Sequence, residues 1–333
     1  MSAFTDLINN AVPGQTLVIP PSLCIVDQPL NIRNPLVFDP TCVLQIDAPI
    51  KMMGGTGIKS SGPTKFKSKR SGNMSTFTIC GPDVTLQDFN LDCSAAVGGW
   101  EFMLDTTAGL NRVDIKNVTT DQSPGLIADN SGPGLAVSIN MDDIIAYRHR
   151  GRASWLTKAF AYISLDGVTI DYVNTSSLAA ANIPVWVIQG AQGIELKSCD
   201  VTGNAGNPGM AAQYAFYFNN CEAVRLQTVM ADTCGGFGFW FGGCNYVQGD
   251  IVNTSLCGDM GMVFCNGTRN VQLNNVIGVG RKGLPQDLSK PIFYTDGTTD
   301  NINIGLATTI ANSGSIFGGA AAGAINFNRL VQR

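Results

Sequence analysis

One apolar pattern recurs along this chain and leaves few folds open to it. Val84-Thr-Leu86-Gln-Asp-Phe89-Asn-Leu91-Asp92 is answered by Val113-Asp-Ile115-Lys-Asn-Val118-Thr-Thr-Asp121, then by Ile163-Ser-Leu165-Asp-Gly-Val168-Thr-Ile170-Asp171 and Ile194-Glu-Leu196-Lys-Ser-Cys199-Asp-Val201. Shorter forms start at Ile139, Val224, Val247, Val271 and Ile302, so successive blocks begin 29, 26, 24, 31, 30, 23, 24 and 31 residues apart. A second short run stands a little upstream of most later blocks: Val185-Trp-Val187, Phe216-Tyr-Phe218, Phe239-Trp-Phe241, Met262-Val-Phe264 and Ile292-Phe-Tyr294. Alternation in short runs separated by Gly and Asn marks strands, and helical spacing is almost absent after residue 12. Two or three short strands in every repeat of this length describe a parallel β-helix, in which each coil stacks on the one before.

Composition agrees with a repetitive architecture. A single core stops growing near roughly 250–300 residues, and this chain has 333. Only 14% of residues are charged while 44% are hydrophobic, which excludes a disordered chain. No apolar stretch approaches the roughly 20 residues of a membrane span. A net charge of −4 argues against general nucleic-acid binding. The opening Met1-Ser-Ala-Phe-Thr-Asp6 has neither a basic nor a hydrophobic leader region, so the expected place of manufacture is the cytoplasm, without a signal peptide. The ten cysteines fit that expectation as small buried hydrophobes. The repeat register stacks Cys221 on Cys244 and Cys234 on Cys257 in neighbouring coils; free thiols are favoured there over disulfides.

The expected organisation is a capping helix in residues 1–14, a parallel β-helix over 15–313, and a cap or subunit-contact tail in 314–333. The helix would hide the open apolar end of the first coil. Gly14, Thr16, Pro20, Pro21, Cys24, Pro29, Leu30 and Ile32 resemble the opening of the pectate-lyase-like superfamily, in which a helix leads into a "G-x-T-x-x-x-P-P" step. With the coils behind it, the resemblance covers about residues 5–313 and implies an all-β, right-handed, single-stranded parallel β-helix. It does not imply one reaction. The polygalacturonase motifs N-T-D, G-H-G and R-I-K are missing, as is the Y-G-F-D-P-H-D motif of alginate epimerases; Asp142-Asp143 stands alone. What remains resembles phage or viral tailspikes and polysaccharide depolymerases, which implies a homotrimeric virion protein for host attachment.

Chemistry is then sought in the columns that such a fold builds. The position eight residues after each block start reads Asp92, Asp121, Tyr147, Asp171, Thr202, Asp232, Ser255, Val279. Four carboxylates in eight places is a concentration, although aspartates at turns also serve the backbone. Asp171 and Asp232 stand two coils apart, about 9.6 Å, at the upper end of the separation in inverting glycosidases. They are the expected acid/base pair, with Asp92 and Asp121, one coil apart, as the reserve. Trp186, Tyr217 and Trp240, continued by Phe264 and Tyr294, are expected to point outward as a file of rings for pyranose stacking, or else to pack under turns or at a subunit interface. Arg148 and His149, in Arg148-His-Arg-Gly-Arg152, are candidate contacts for an acidic sugar, and Glu101 is a spare acid.

Three functions remain open on this footing. The chain is expected to bind and cleave a cell-surface polysaccharide by acid/base hydrolysis. A lyase acting on a uronic-acid polymer through Arg148, His149 or Lys158 is one alternative, and a non-catalytic receptor-binding spike is the other. No cofactor, metal, nucleic-acid partner or membrane span is expected.

Overall fold

The computed structural model describes residues 3–69, 74–130, 137–158, 160–172, 184–203, 214–234, 236–257, 260–279, 291–310, 316–319 and 325–332. The chain forms two compact units, Met1–Ala161 and Tyr162–Arg333. In the first, the strands Leu17–Ile19, Leu36–Phe38, Gly57–Ser68, Val84–Asp92, Arg112–Asp121 and Ser138–His149 pair in that order, all parallel. Leu23–Val26 joins through Val43–Ile46. Between them in the chain come the short strands Leu30–Ile32, Ile50–Met52, Phe77–Ile79, Phe102–Leu104, Gly125–Asp129 and Arg152–Trp155, which make a parallel sheet of their own.

The second unit repeats the scheme. Tyr162–Tyr172, Gly193–Thr202, Ala223–Asp232, Asn245–Ser255, Arg269–Val279, Asp300–Ile310 and Ile325–Gln332 form its long-strand sheet. Pro184–Gln189, Tyr214–Asn219, Phe237–Gly242, Met262–Cys265, Phe293–Thr295 and Phe317–Gly319 form its short one. Long and short strands alternate along the chain, yet each pairs only with its own kind one repeat away. Each unit is therefore a right-handed parallel β-helix. Within the stretch 314–333, Ile325–Gln332 supplies one more strand, paired with Asp300–Ile310.

The long strands explain the odd spacing of the sequence pattern. Val84, Leu86, Phe89 and Leu91 are buried, so two consecutive residues, Gln87 and Asp88, face outward. Asp88 has φ 62°, and its counterparts Asn117 and Asp143 have 48° and 52°. In the second unit Gly167, Ser198 and Thr228 hold the same place at 64°, 51° and 56°. One left-handed residue bends the strand and resets its alternation, a conformation that Asn, Asp and Gly tolerate best.

The interior is a ladder of like on like. Phe66 stacks on Phe89 with ring centroids 4.7 Å apart, and Phe216 on Phe239 at 5.0 Å. Phe218, Phe241 and Phe264 continue a second file at 5.4 Å per step. Such contacts add about 0.5–1.5 kcal/mol each beyond simple burial. Helix Ala3–Asn9 buries Phe4, Thr5 and Ile8, and the Phe4 ring lies 6.1 Å from Phe38 in the first coils. All ten cysteines are free. Cys221 and Cys244 share a thiol–thiol hydrogen bond inside the second unit, as Cys257 and Cys234 do.

Candidate functional site

The strand register fixes the acidic column. In the first unit Lys67 lies opposite Asp92, Asp92 opposite Asp121, and Asp121 opposite Tyr147. In the second, Asp171 lies opposite Thr202, Thr202 opposite Asp232, and Asp232 opposite Ser255. All stand on outward positions next to the strand's end.

The two halves of the column differ in chemistry. Arg148 grips both carboxylate oxygens of Asp121 through Nε and Nη2. Burial works against ionisation of Asp92, but the Ser94 hydroxyl and amide and the charges of Lys67 and Arg148 outweigh it and hold its carboxyl below the usual range. Arg148 thus occupies Asp121, and the lowered pKa of Asp92 disfavours it as a proton donor.

Asp171 and Asp232 stand in a different setting. Between their strands runs Gly193–Thr202, and its Asp200 faces the same way as Thr202, two residues earlier. Asp200 lies opposite Thr169, whose hydroxyl donates to it at 2.6 Å. Burial raises its pKa, and the charge of Asp171 adds to the rise against the hydrogen bonds of Thr169 and Thr202. One Asp232 oxygen is buried without a partner among the described residues. Counting only the eighth position of each block missed Asp200, which occupies the sixth; that outward position was the available signal.

The aromatic file departs from expectation at two of its five positions, Trp186 and Phe264. Trp186 pairs with Phe216, and Phe216 with Phe239, so Trp186 belongs to the inward ladder and is only 1% exposed. Phe264, opposite Phe241, is buried too. The reason is visible in Val185–Ile188, four consecutive buried residues that give no alternation to set a face. The outward column is Val187, Tyr217, Trp240, Val263, Tyr294. Here Tyr217 and Trp240 lie nearly parallel, at 17° and 6.0 Å. Tyr214 and Phe237, one step earlier on the same strands, stack at 4.8 Å and meet Trp240 edge-on. The four rings make a half-buried two-by-two array on adjacent coils. A Cβ at Gly242 would stand 2.9 Å from Trp240 Nε1, so the indole lies along the strand only because residue 242 has no side chain.

Of the two basic candidates, one is buried and the other is engaged by a carboxylate. His149 is fully buried, and that burial pushes its pKa down to about 4. Arg148 has φ 47°, so the strand repeats its two-outward step at Tyr147 and Arg148 and turns His149 in. Arg148 itself is exposed but committed to Asp121. Glu101 is buried as well, accepting from Thr76 at 2.7 Å and Ser123 at 2.9 Å. A cleft of about 540 Å³ lies on the first unit around Lys59, Asp88 and Asn117. Among the described residues no cluster of His, Cys, Asp or Glu suits a metal ion, and no helix is long and apolar enough to cross a membrane.

No protein-family model matches the chain, and no curated protein matches it.

Proposed function

We propose that this chain is a tailspike-like protein that binds a cell-surface polysaccharide on its second unit and hydrolyses it there. The observation that carries the proposal is the pairing of a half-buried aromatic array with a half-buried carboxyl of raised pKa on the same coils. The strand that carries Asp200 leads to Tyr214 and Tyr217, and the strand that ends in Asp232 leads to Phe237 and Trp240. Half-exposed rings are costly to keep on a soluble surface unless something covers them, and a sugar face is a fitting cover.

In this reading Asp200 is the general acid, its pKa raised by burial and by the neighbouring charge of Asp171. Asp232 is the base that activates water. One coil across and two residues along puts the two about 8 Å apart, within the range for inversion. Pairs of carboxyls whose surroundings drive their proton affinities apart are the usual arrangement for such chemistry. Elimination is disfavoured: His149 is inside the coil, Arg148 is held by Asp121, and the Lys158 backbone and charge lie against Asp129.

The proposal includes a homotrimer on a virus particle. Its support is a charge-poor outward column, Gln248, Gln272, Asn303 and Asn326, flanked by exposed Ile251 and Ile277. The test is incubation with purified capsular and lipopolysaccharide glycans, following reducing ends and the ultraviolet absorbance of unsaturated uronates. Reducing ends without that absorbance are expected. Both signals together would make the chain a lyase, and neither would leave a binding spike.

A further inference from the structure

We propose that the first unit carries a separate binding groove for an acidic polysaccharide, recognised through Lys59, Lys65 and Lys67. The groove comes from a slip in the register. Lys59 lies opposite Gln87, but Thr64 lies opposite Phe89, so residues 60–63 face the single residue Asp88. The bulge opens the cleft of about 540 Å³ lined by Lys59, Ser61, Asp88, Asn90 and Asn117. A second hollow of about 360 Å³, lined by Lys65, Lys67, Asp92, Thr119 and Asp121, shares Asn90 with it.

The charges in this groove are unevenly committed. Asp88 accepts from Gln87 at 2.8 Å and from Asn117 at 2.9 Å. Asp92 accepts from the Ser94 amide at 2.9 Å, and Asp121 is bound by Arg148. Lys59, Lys65 and Lys67 are exposed on one strand, and none has an ion-pair or hydrogen-bond partner among the described residues. With Arg148 counted, four cations stand among the three carboxylates Asp88, Asp92 and Asp121, so the groove is locally positive although the chain carries a net charge of −4. Lys65 and Lys67 are two residues apart on one face, about 6.6 Å, a spacing suited to charges repeated along an extended polymer.

The floor favours sugar over nucleic acid. Asn90, Asn117, Thr119 and Ser61 offer amides and hydroxyls to ring hydroxyls. The two aromatic residues that border it, Phe66 and Phe89, face the core at 0% and 1% exposure and present nothing for a base to stack on. This site does not depend on the chemistry proposed for the second unit.

The experiment measures binding of the full chain to polygalacturonate, dextran sulfate, neutral dextran and poly(dT), at about 0.03 M and about 0.3 M salt. Binding to at least one of the two acidic glycans is expected, falling at the higher salt, with dextran about tenfold weaker or more. The tighter of the two identifies carboxylate or sulfate as the preferred anion. The variant Lys59→Gln/Lys65→Gln/Lys67→Gln should lose about tenfold or more in affinity while keeping its melting temperature. A control with the same change of net charge, Lys197→Gln/Arg225→Gln/Arg269→Gln, should bind like the native chain. Failure of both acidic glycans to bind would overturn the proposal, as would equal binding by dextran, tighter binding by poly(dT), or equal losses in the two triple variants.

Discussion

One buried histidine should make this protein lose stability in mild acid. His149 is the only histidine in the chain and is 0% exposed, with neither ring nitrogen hydrogen-bonded among the described residues. Its pKa falls to about 4 from 6.5, chiefly because burial penalises the imidazolium. The folded state therefore binds the proton less readily than the unfolded state. Stability is complete above pH 6.5 and drains away as the pH falls toward 4, where the loss levels off. The gap between those two values corresponds to about 3 kcal/mol, most of which is gone by pH 4.5. The assay is urea unfolding of the native chain and of His149→Gln between pH 7 and 4.5. Carboxylates contribute equally to both proteins, so the difference between the two slopes isolates the imidazole. Should His149→Gln fail to fold, the lone histidine gives a single imidazole signal in a nuclear magnetic resonance titration. Parallel pH profiles, or an imidazole midpoint near 6.5 in the folded state, would refute the reasoning.

Other consequences can be checked with single substitutions. Asp200→Asn should cut turnover of a susceptible polysaccharide by about a hundredfold or more with the circular dichroism spectrum unchanged; full activity would remove Asp200 as the acid. Trp240→Ala should weaken glycan binding with little effect on melting, whereas Trp186→Ala should cost about 3–5 kcal/mol of stability because it empties the core. A reversed pattern in that pair would mean the strand register is wrong. Iodoacetamide followed by mass spectrometry should label part-exposed Cys80 and Cys257 first on the native protein. Early labelling of Cys221 or Cys244 would contradict their place in the interior.

The inward residues of the long strands were legible in the sequence because burial repeats there on every coil. Val84, Val113 and Ile139 lie opposite one another as the spacing predicts, and the eighth-position column follows from the same register. The short strands were harder to read. Where alternation survives, as in Phe216-Tyr-Phe218, the outward Tyr217 was found; where it fails, as in Val185–Ile188, a slip of one residue turned Trp186 to the wrong face. His149 was misread for a related reason. Its basic neighbours suggest a surface turn, but the left-handed Arg148 lets two polar residues face out before the next one turns in.

The bend has a consequence for where chemistry can reside. An unbroken alternating strand offers every second residue to solvent; the left-handed step adds one more and leaves the interior ladder untouched. Asp88, Asn117 and Asp143 occupy that extra place in the first unit and Gly167, Ser198 and Thr228 in the second. Residues there can change without disturbing a core contact, and so can the outward columns on either side. In the first unit those columns collect free lysines against occupied acids; in the second they bring Asp200 within reach of Asp171. A fold that spends its inward residues on identical ladders can thus carry two unlike surfaces. Bringing the pattern of Lys65 and Lys67 into the equivalent positions of the second unit, as Thr169→Lys/Thr202→Lys, should then cut turnover by placing cations beside Asp200 and lowering its raised pKa, while unfolding stability changes by about 1 kcal/mol or less. A large loss of stability from those two outward changes would show that the columns are not independent of the ladder.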